Sequence, residues 1–338
     1  MTLASNRFTD LLSQRDYLLA DGATGTNLFA MGLPNGECPE RWNIEAPERI
    51  AELHQSFIDA GADLILTNSF GGTRHRLKLH QLQDRVTELN MAAAGIARRV
   101  VDAANRPVIV AGSIGPTGEL FEPLGPLTME QGREAFAEQA AALAAGGVDV
   151  LWIETMSSKE EVEAATAGGA TTNLPVVCNV SFDTNGSTMM GITPTNLAHI
   201  CDHLSPQPAA FGTNCGIGAA EVIACMLGLA EAAKSDSVLV AKANCGIPEF
   251  VDGAIRYNGT PEIMADYARM ARDVGARIIG GCCGTTPEHV RAMSQALVDY
   301  VPGPKPDLVM VEQRLGKISN GAKGVQPGAP RRGRRKTH

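Results

Sequence analysis

Eight times along this chain a short apolar run stops at glycine or a small polar residue and gives way to a helical stretch. The runs occupy residues 17–20, 63–68, 107–113, 149–155, 175–181, 209–215, 238–242 and 276–280. Most are nearly continuous in Leu, Ile, Val and Ala, the pattern of strands buried on both faces of a parallel sheet. Helical patterns lie between them, for example 47–60, 128–145, 260–274 and 288–298. Eight such units predict an α/β fold, a single closed (β/α)8 barrel of the TIM type. An open doubly wound sheet is the rival, but no GxGxxG follows the first run and no clear break divides the chain. A chain of 338 residues with 36 glycines suits one barrel with many tight turns.

We place the barrel at 1–301 and a Pro/Gly/Arg-rich tail at 302–338. The tail carries +7 and the rest −15, for a net charge of −8. Low apolar periodicity predicts that the basic tail is mostly disordered. Its apolar piece, Leu308 to Val311, could pack on the barrel or on a partner. So acidic a body is a poor binder of nucleic acid, which is not expected as a partner, although the basic end of the tail could bind polyanions. No apolar segment is long enough to span a membrane, and the first ten residues lack the apolar core of a secretion signal. The eight cysteines show no small-scaffold spacing, so reduced thiols in a cytoplasmic protein are expected. A homo-oligomer is compatible with the sequence.

The unusual residues gather at the ends of the runs, the face on which barrel active sites sit. Cys215 ends the sixth run, and the adjacent Cys282 and Cys283 end the eighth, among Gly280, Gly281 and Gly284. Thr286 is a plausible N-cap after them, with Pro287 at the first helical position. Adjacent cysteines rarely close an unstrained disulfide, but both can ligate one metal if the chain turns sharply. Strands six and eight of a closed barrel are next-but-one neighbours, so three thiolates can converge on its rim. Such a set suits zinc and leaves one position open. Cys245, after the seventh run, is the rival ligand. Cys38, Cys178, Cys201 and Cys225 fall in a loop, a strand interior and helices.

Three thiolates overcompensate a divalent charge, which makes a poor Lewis acid but a good place to hold a fourth thiol as thiolate. The chemistry implied is alkyl transfer onto a substrate thiol. Water or Asn244 could fill the open position. Asp21 and Glu154, carboxylates at strand ends, could together hold the ammonium of an amino acid. The backbone amides of Thr67, Asn68, Ser69 and Phe70 could take its carboxylate. His75 and His80 are expected to face solvent. Two other classes remain. One is a Schiff-base lyase using Lys242, which requires burial to depress that lysine. The other is a zinc- or thiol-responsive binding protein without catalysis.

The motifs DGATGT (from Asp21), TNSFGG (from Thr67), GSIGPTG (from Gly112), IET (from Ile153), GTNCG (from Gly212) and GGCCGTTPEH (from Gly280) occur here in order. Together, over roughly 17–299, the chain resembles the zinc-dependent homocysteine methyltransferases, and in whole-chain pattern the bacterial betaine–homocysteine enzymes. The resemblance implies a homocysteine-binding barrel that makes methionine. It implies Cys215, Cys282 and Cys283 as zinc ligands, and Asp21, Gly22 and Glu154 around the homocysteine amino end. Trp42 matches one aromatic of the betaine cage, whereas Gly71 and Thr155 stand where the animal enzymes have tyrosines. A small onium donor, glycine betaine first, is the expectation. S-methylmethionine, dimethylsulfoniopropionate and a separate corrinoid or folate protein are the alternatives.

Overall fold

The computed structural model describes residues 6–246, 248–251 and 254–324. The barrel strands are β1 (Leu18–Leu19), β2 (Leu64–Leu66), β3 (Ile109–Ile114), β4 (Val150–Met156), β5 (Val176–Val180), β6 (Ala210–Cys215) and β7 (Leu239–Ala243). An antiparallel hairpin follows, β8 (Pro248–Val251) and β9 (Ala254–Tyr257), and then the last barrel strand, β10 (Ala276–Gly281). Around the sheet the order is β1-β10-β7-β6-β5-β4-β3-β2, all parallel. A bridge between Ala20 and Leu64 joins the two ends into a ring. The fold is therefore the expected (β/α)8 barrel. The hairpin between β7 and the helix Pro261–Val274 was not foreseen.

The strands are mostly apolar because they have two buried faces, and their polar residues gather toward the C-terminal ends. One set of alternate residues, including Leu18, Leu64, Ile109, Val150, Trp152, Val177, Val240 and Ile278, packs into the barrel interior. The intervening set, including Leu19, Ile65, Val110, Leu151, Cys178, Phe211, Ala241 and Ile279, packs against the helices. Cys178 thus belongs to the wall between strand and helix. Burial of each large apolar side chain contributes about 1.5–3 kcal/mol. The helix Arg7–Gln14 adds Phe8, Leu11 and Leu12 to the interior cluster, and its Asn6 cap donates to the Asp149 carbonyl at 2.7 Å.

Helix starts are set by threonine and serine caps. Thr128, Ser158, Thr193 and Thr260 each accept a backbone N–H of the first turn. Thr286 caps the helix Pro287–Leu297 as expected, its N–H donating to His289 Nδ1 at 3.2 Å. Among the described residues no helix is long and apolar enough to cross a membrane.

Part of the tail departs from the expectation of disorder. The helices Leu308–Leu315 and Asn320–Gly324 pack on the helix Ala219–Ala232, and the first also touches Pro261–Val274. Val311, Ile318 and Ala322 are buried there. The Ser319 N–H donates to Glu221 Oε1 at 2.9 Å, and Arg314 pairs with Asp266 at 2.5 Å. The apolar piece Leu308 to Val311, read as able to pack on the barrel or on a partner, thus packs on the barrel's outer helices through Val311. The basic run at 331–336 lies outside the described residues.

Candidate metal and thiol site

Parallel register decides what meets at the rim. Cys215 of β6 lies level with Ala243 of β7, and Ala243 lies level with Gly281 of β10. The tips of β6 and β10 therefore flank the tip of β7. At Cys215 the backbone turns left-handed (φ 64°) and stays so at Gly216 (φ 74°), which stops the strand and turns its thiol to the rim. Gly284 (φ 77°) does the same after Cys283. The three Sγ atoms of Cys215, Cys282 and Cys283 lie within 4.8 Å of one another, and Cys215 to Cys283 is 3.9 Å. Among the described residues this is the one group of His, Cys, Asp or Glu so placed. The rival Cys245 is buried apart from it, its backbone N–H donating to the Cys283 carbonyl.

Two asparagines brace the cluster. Asn244 accepts from the Cys283 N–H at 2.9 Å and donates to the Gly216 carbonyl at 2.7 Å, tying the two cysteine turns together. Asn214 binds Thr155 through both ends of its amide at 2.7 Å and reaches Cys282 Sγ at 3.7 Å. Asn214 was not singled out from the sequence, and Asn244 only as a ligand. The available signal was an amide at the end of an otherwise apolar strand. Tyr257, also missed, hydrogen-bonds Cys283.

The thiols respond to crowding. Cys282 lowers Cys215 through a hydrogen bond, but Cys283, burial and the charge of Cys283 outweigh this and push Cys215 up to about 12. Cys283 is lowered by Cys215, yet Cys282 and burial push it up to about 12 as well. Cys282 is raised through its hydrogen bond to Cys215 and through burial. Without a cation the three therefore hold their protons at neutral pH.

The thiols open into a cleft of about 360 Å³. Gly22, Thr67, Phe70, Glu154, Thr155 and Lys242 line it with Cys215, Cys282 and Cys283. Gly22 must be glycine, because a Cβ there would lie 2.6 Å from the Thr285 carbonyl oxygen. Glu154, buried beneath the cleft, accepts from Ser113 Oγ at 2.5 Å. Burial pushes its carboxyl up, against the pull of Lys242. Asp21 is 1% exposed and does not line the cleft. Its Oδ1 holds Lys242 Nζ at 2.7 Å and its Oδ2 accepts the Leu66 N–H at 2.7 Å. The expected pair of carboxylates around one ammonium is thus altered, since a lysine already occupies Asp21.

Burial would lower Lys242, but Asp21 and Glu154 outweigh it and hold the ammonium above its ordinary value. A lysine so protonated is no Schiff-base nucleophile. Of the four amides expected for a carboxylate, Thr67 N–H is engaged by the Ala111 carbonyl and Ser69 N–H by the Thr67 carbonyl. Phe70 and Phe29, 39% and 40% exposed, stand at the mouth with Arg76 and His80. His80 borders the mouth of the cleft and His75 does not, and neither belongs to the sulfur cluster. Trp42 does not line the cleft either. It opens the short helix Trp42–Glu45 and packs against the core. Behind it, Glu40 takes the Gly71 N–H at 2.5 Å and the Cys38 thiol at 3.1 Å, holding the loop over the cleft edge.

The model of the homocysteine S-methyltransferase family matches residues 18–297. Methionine synthase of Mycobacterium tuberculosis is 30% identical over 307 residues, covering 86% of this chain and 25% of that protein. Its counterpart in Mycobacterium leprae is 30% identical over 317 residues, covering 88% of this chain and 26% of the relative. The chain thus spans about a quarter of the length of the curated relatives it matches. The homocysteine methyltransferase MmuM of Escherichia coli, in its metallated form, superposes with a TM-score of 0.72 at 26% identity. That match covers 86% of this chain and 99% of MmuM.

Proposed function

The chain belongs to the homocysteine S-methyltransferase family, and from that premise we propose that it moves a methyl group onto the thiolate of homocysteine, giving methionine. The observation that carries this reading is the three-sulfur cluster at the head of a cleft with a buried carboxylate. The donor set fits zinc. Sulfurs about 2.3 Å from a tetrahedral ion stand about 3.8 Å apart, against 3.9 Å between Cys215 and Cys283. Cys215, Cys282 and Cys283 would hold the ion and leave a fourth position facing the cleft. Zinc there would supply the deprotonation of an incoming thiol at neutral pH. Asn244, with both ends of its amide engaged, acts as a brace for the two cysteine turns.

The chain's own groups do the rest. Glu154 faces the ammonium of the acceptor. The cleft walls position the acceptor and keep water from the sulfur. The donor we favour is a small onium compound, glycine betaine first. The rings of Phe29 and Phe70 at the mouth offer faces for a cationic methyl-bearing centre. The S–CH3 bond forms as the donor's N–CH3 bond breaks, and the electron pair stays on the nitrogen, which leaves neutral. A second reading draws on the relatives named methionine synthase, which are about four times longer. On that reading a separate corrinoid protein docks at the apolar mouth and delivers the methyl. All eight cysteines are free thiols, which suits a reducing compartment such as the cytoplasm.

Zinc-loaded protein with homocysteine should be offered glycine betaine, dimethylsulfoniopropionate, S-methylmethionine and a methylated corrinoid in parallel. Methionine from an onium donor supports the first reading, and methionine from the corrinoid alone supports the second. Cys283→Ala should lose metal and turnover together; turnover retained in that variant would reject both readings.

A further inference from the structure

Lys242 is a buried cation in the cleft whose position the family reading does not explain. It is 1% exposed and yet lines the cleft beside Glu154 and Cys282. It reaches across β10 at Gly280, its register partner, which has no side chain to obstruct it. On the far side its Nζ meets Asp21 at 2.7 Å. From the barrel interior the Trp152 ring faces the ammonium, 5.8 Å from its centroid.

An ammonium has three hydrogens to donate. Among the described residues this one donates to Asp21 alone. Buried charged donors are almost always satisfied. With Asp21 on one side and an aromatic ring on another, the remaining donor directions include the cleft. The Asp21–Lys242 pair is internally neutral, so Glu154 is left as the buried carboxylate facing the acceptor's ammonium. The acceptor's carboxylate then needs a cation, and two of the four loop amides expected to take it are engaged elsewhere.

We propose that Lys242 is the residue that recognises the α-carboxylate of the acceptor thiol. This rests on the reading of the cleft as a site for an amino-acid thiol. It assigns the two ends of that head group to two side chains, the ammonium to Glu154 and the carboxylate to Lys242. One carboxylate oxygen accepts a hydrogen bond from Nζ while Nζ keeps its bond to Asp21. No proton is transferred.

The test is binding of three thiols to the zinc-loaded protein by calorimetry: homocysteine, its decarboxylated analogue and its deaminated analogue. The wild type should prefer homocysteine to the decarboxylated analogue by about tenfold or more, the effect of one charge-assisted hydrogen bond. Lys242→Met should weaken homocysteine and the deaminated analogue by a similar factor, and leave the decarboxylated analogue nearly unchanged. Removing the lysine strands the Asp21 charge, so Asp21→Asn combined with Lys242→Met should be measured beside it and show the same pattern. Lys242→Arg should keep the preference for a carboxylate. Equal weakening of all three thiols would make Lys242 merely structural and overturn the proposal. So would a wild type that binds the decarboxylated analogue as tightly as homocysteine. Failure of the wild type to bind any of the three would instead remove the homocysteine reading itself, and this proposal with it.

Discussion

At the scale of single residues the site is built from groups whose ordinary chemistry has been displaced by neighbours. Burial holds the Glu154 carboxyl above its usual range. A raised carboxyl takes its proton at higher pH than an exposed one and loses its charge as pH falls through that value. Homocysteine affinity should therefore begin to fall, on acidification, at a pH above the ordinary carboxylate range. Glu154→Gln should bind weakly and lack that acid limb; the check is a pH series of calorimetric titrations. Asn244 makes a second residue-scale prediction. It is a brace between the Cys283 and Gly216 backbones, and loss of such a supporting partner typically costs about tenfold to a hundredfold in metal affinity. Asn244→Ala should show that loss in a competition titration with a chelator, while retaining one zinc per chain at saturation. The three cysteines that converge at the rim were legible in the sequence because each stands at the end of an apolar strand, two of them side by side among glycines and the third two strands away. The Lys242–Asp21 pair was not legible, because side chains 221 residues apart leave no trace of their contact in local pattern.

At the scale of elements, apolar continuity and capping chemistry account for what forms and where it starts. Most of the eight strands read as nearly continuous apolar runs because both faces are buried, and Thr286 with Pro287 marked a helix start that the structure carries. Sparse signals hid one element and left a second half legible, its apolar piece at 308–311 being read as able to pack but not as a helix. The hairpin of β8 and β9 falls in a loop of mixed composition, and the helix Leu308–Leu315 buries one residue, Val311, against the barrel's outer layer. That docking can be measured. Val311→Ala removes roughly two methylenes from a buried contact and should lower stability by about 2 kcal/mol. Chemical denaturation reads the loss, and zinc affinity should not change, because the helix packs on Ala219–Ala232 and Pro261–Val274 rather than on the rim.

At the scale of the whole molecule, ring closure makes the site. Cys215 and Cys282 come from strands that are not neighbours, and they converge only when β7 lies between them in register. The unfolded chain has no preformed site, so zinc should bind the native barrel far better than the denatured one. Free zinc at a hundredfold excess over its Kd should then add about 2.7 kcal/mol to the stability. The rise in melting temperature should vanish in Cys283→Ala, and a wild type insensitive to zinc would argue against a metal centre. From sequence alone came the barrel, the face that carries chemistry and the three sulfurs, because periodicity, strand-end position and residue type are local and survive in one dimension. Which charges pair was decided only by the closed ring. Lys242 crossing β10 to Asp21, Glu154 left facing the cleft and Trp42 packed against the core away from it all depend on distances between elements, and a linear pattern carries no distances.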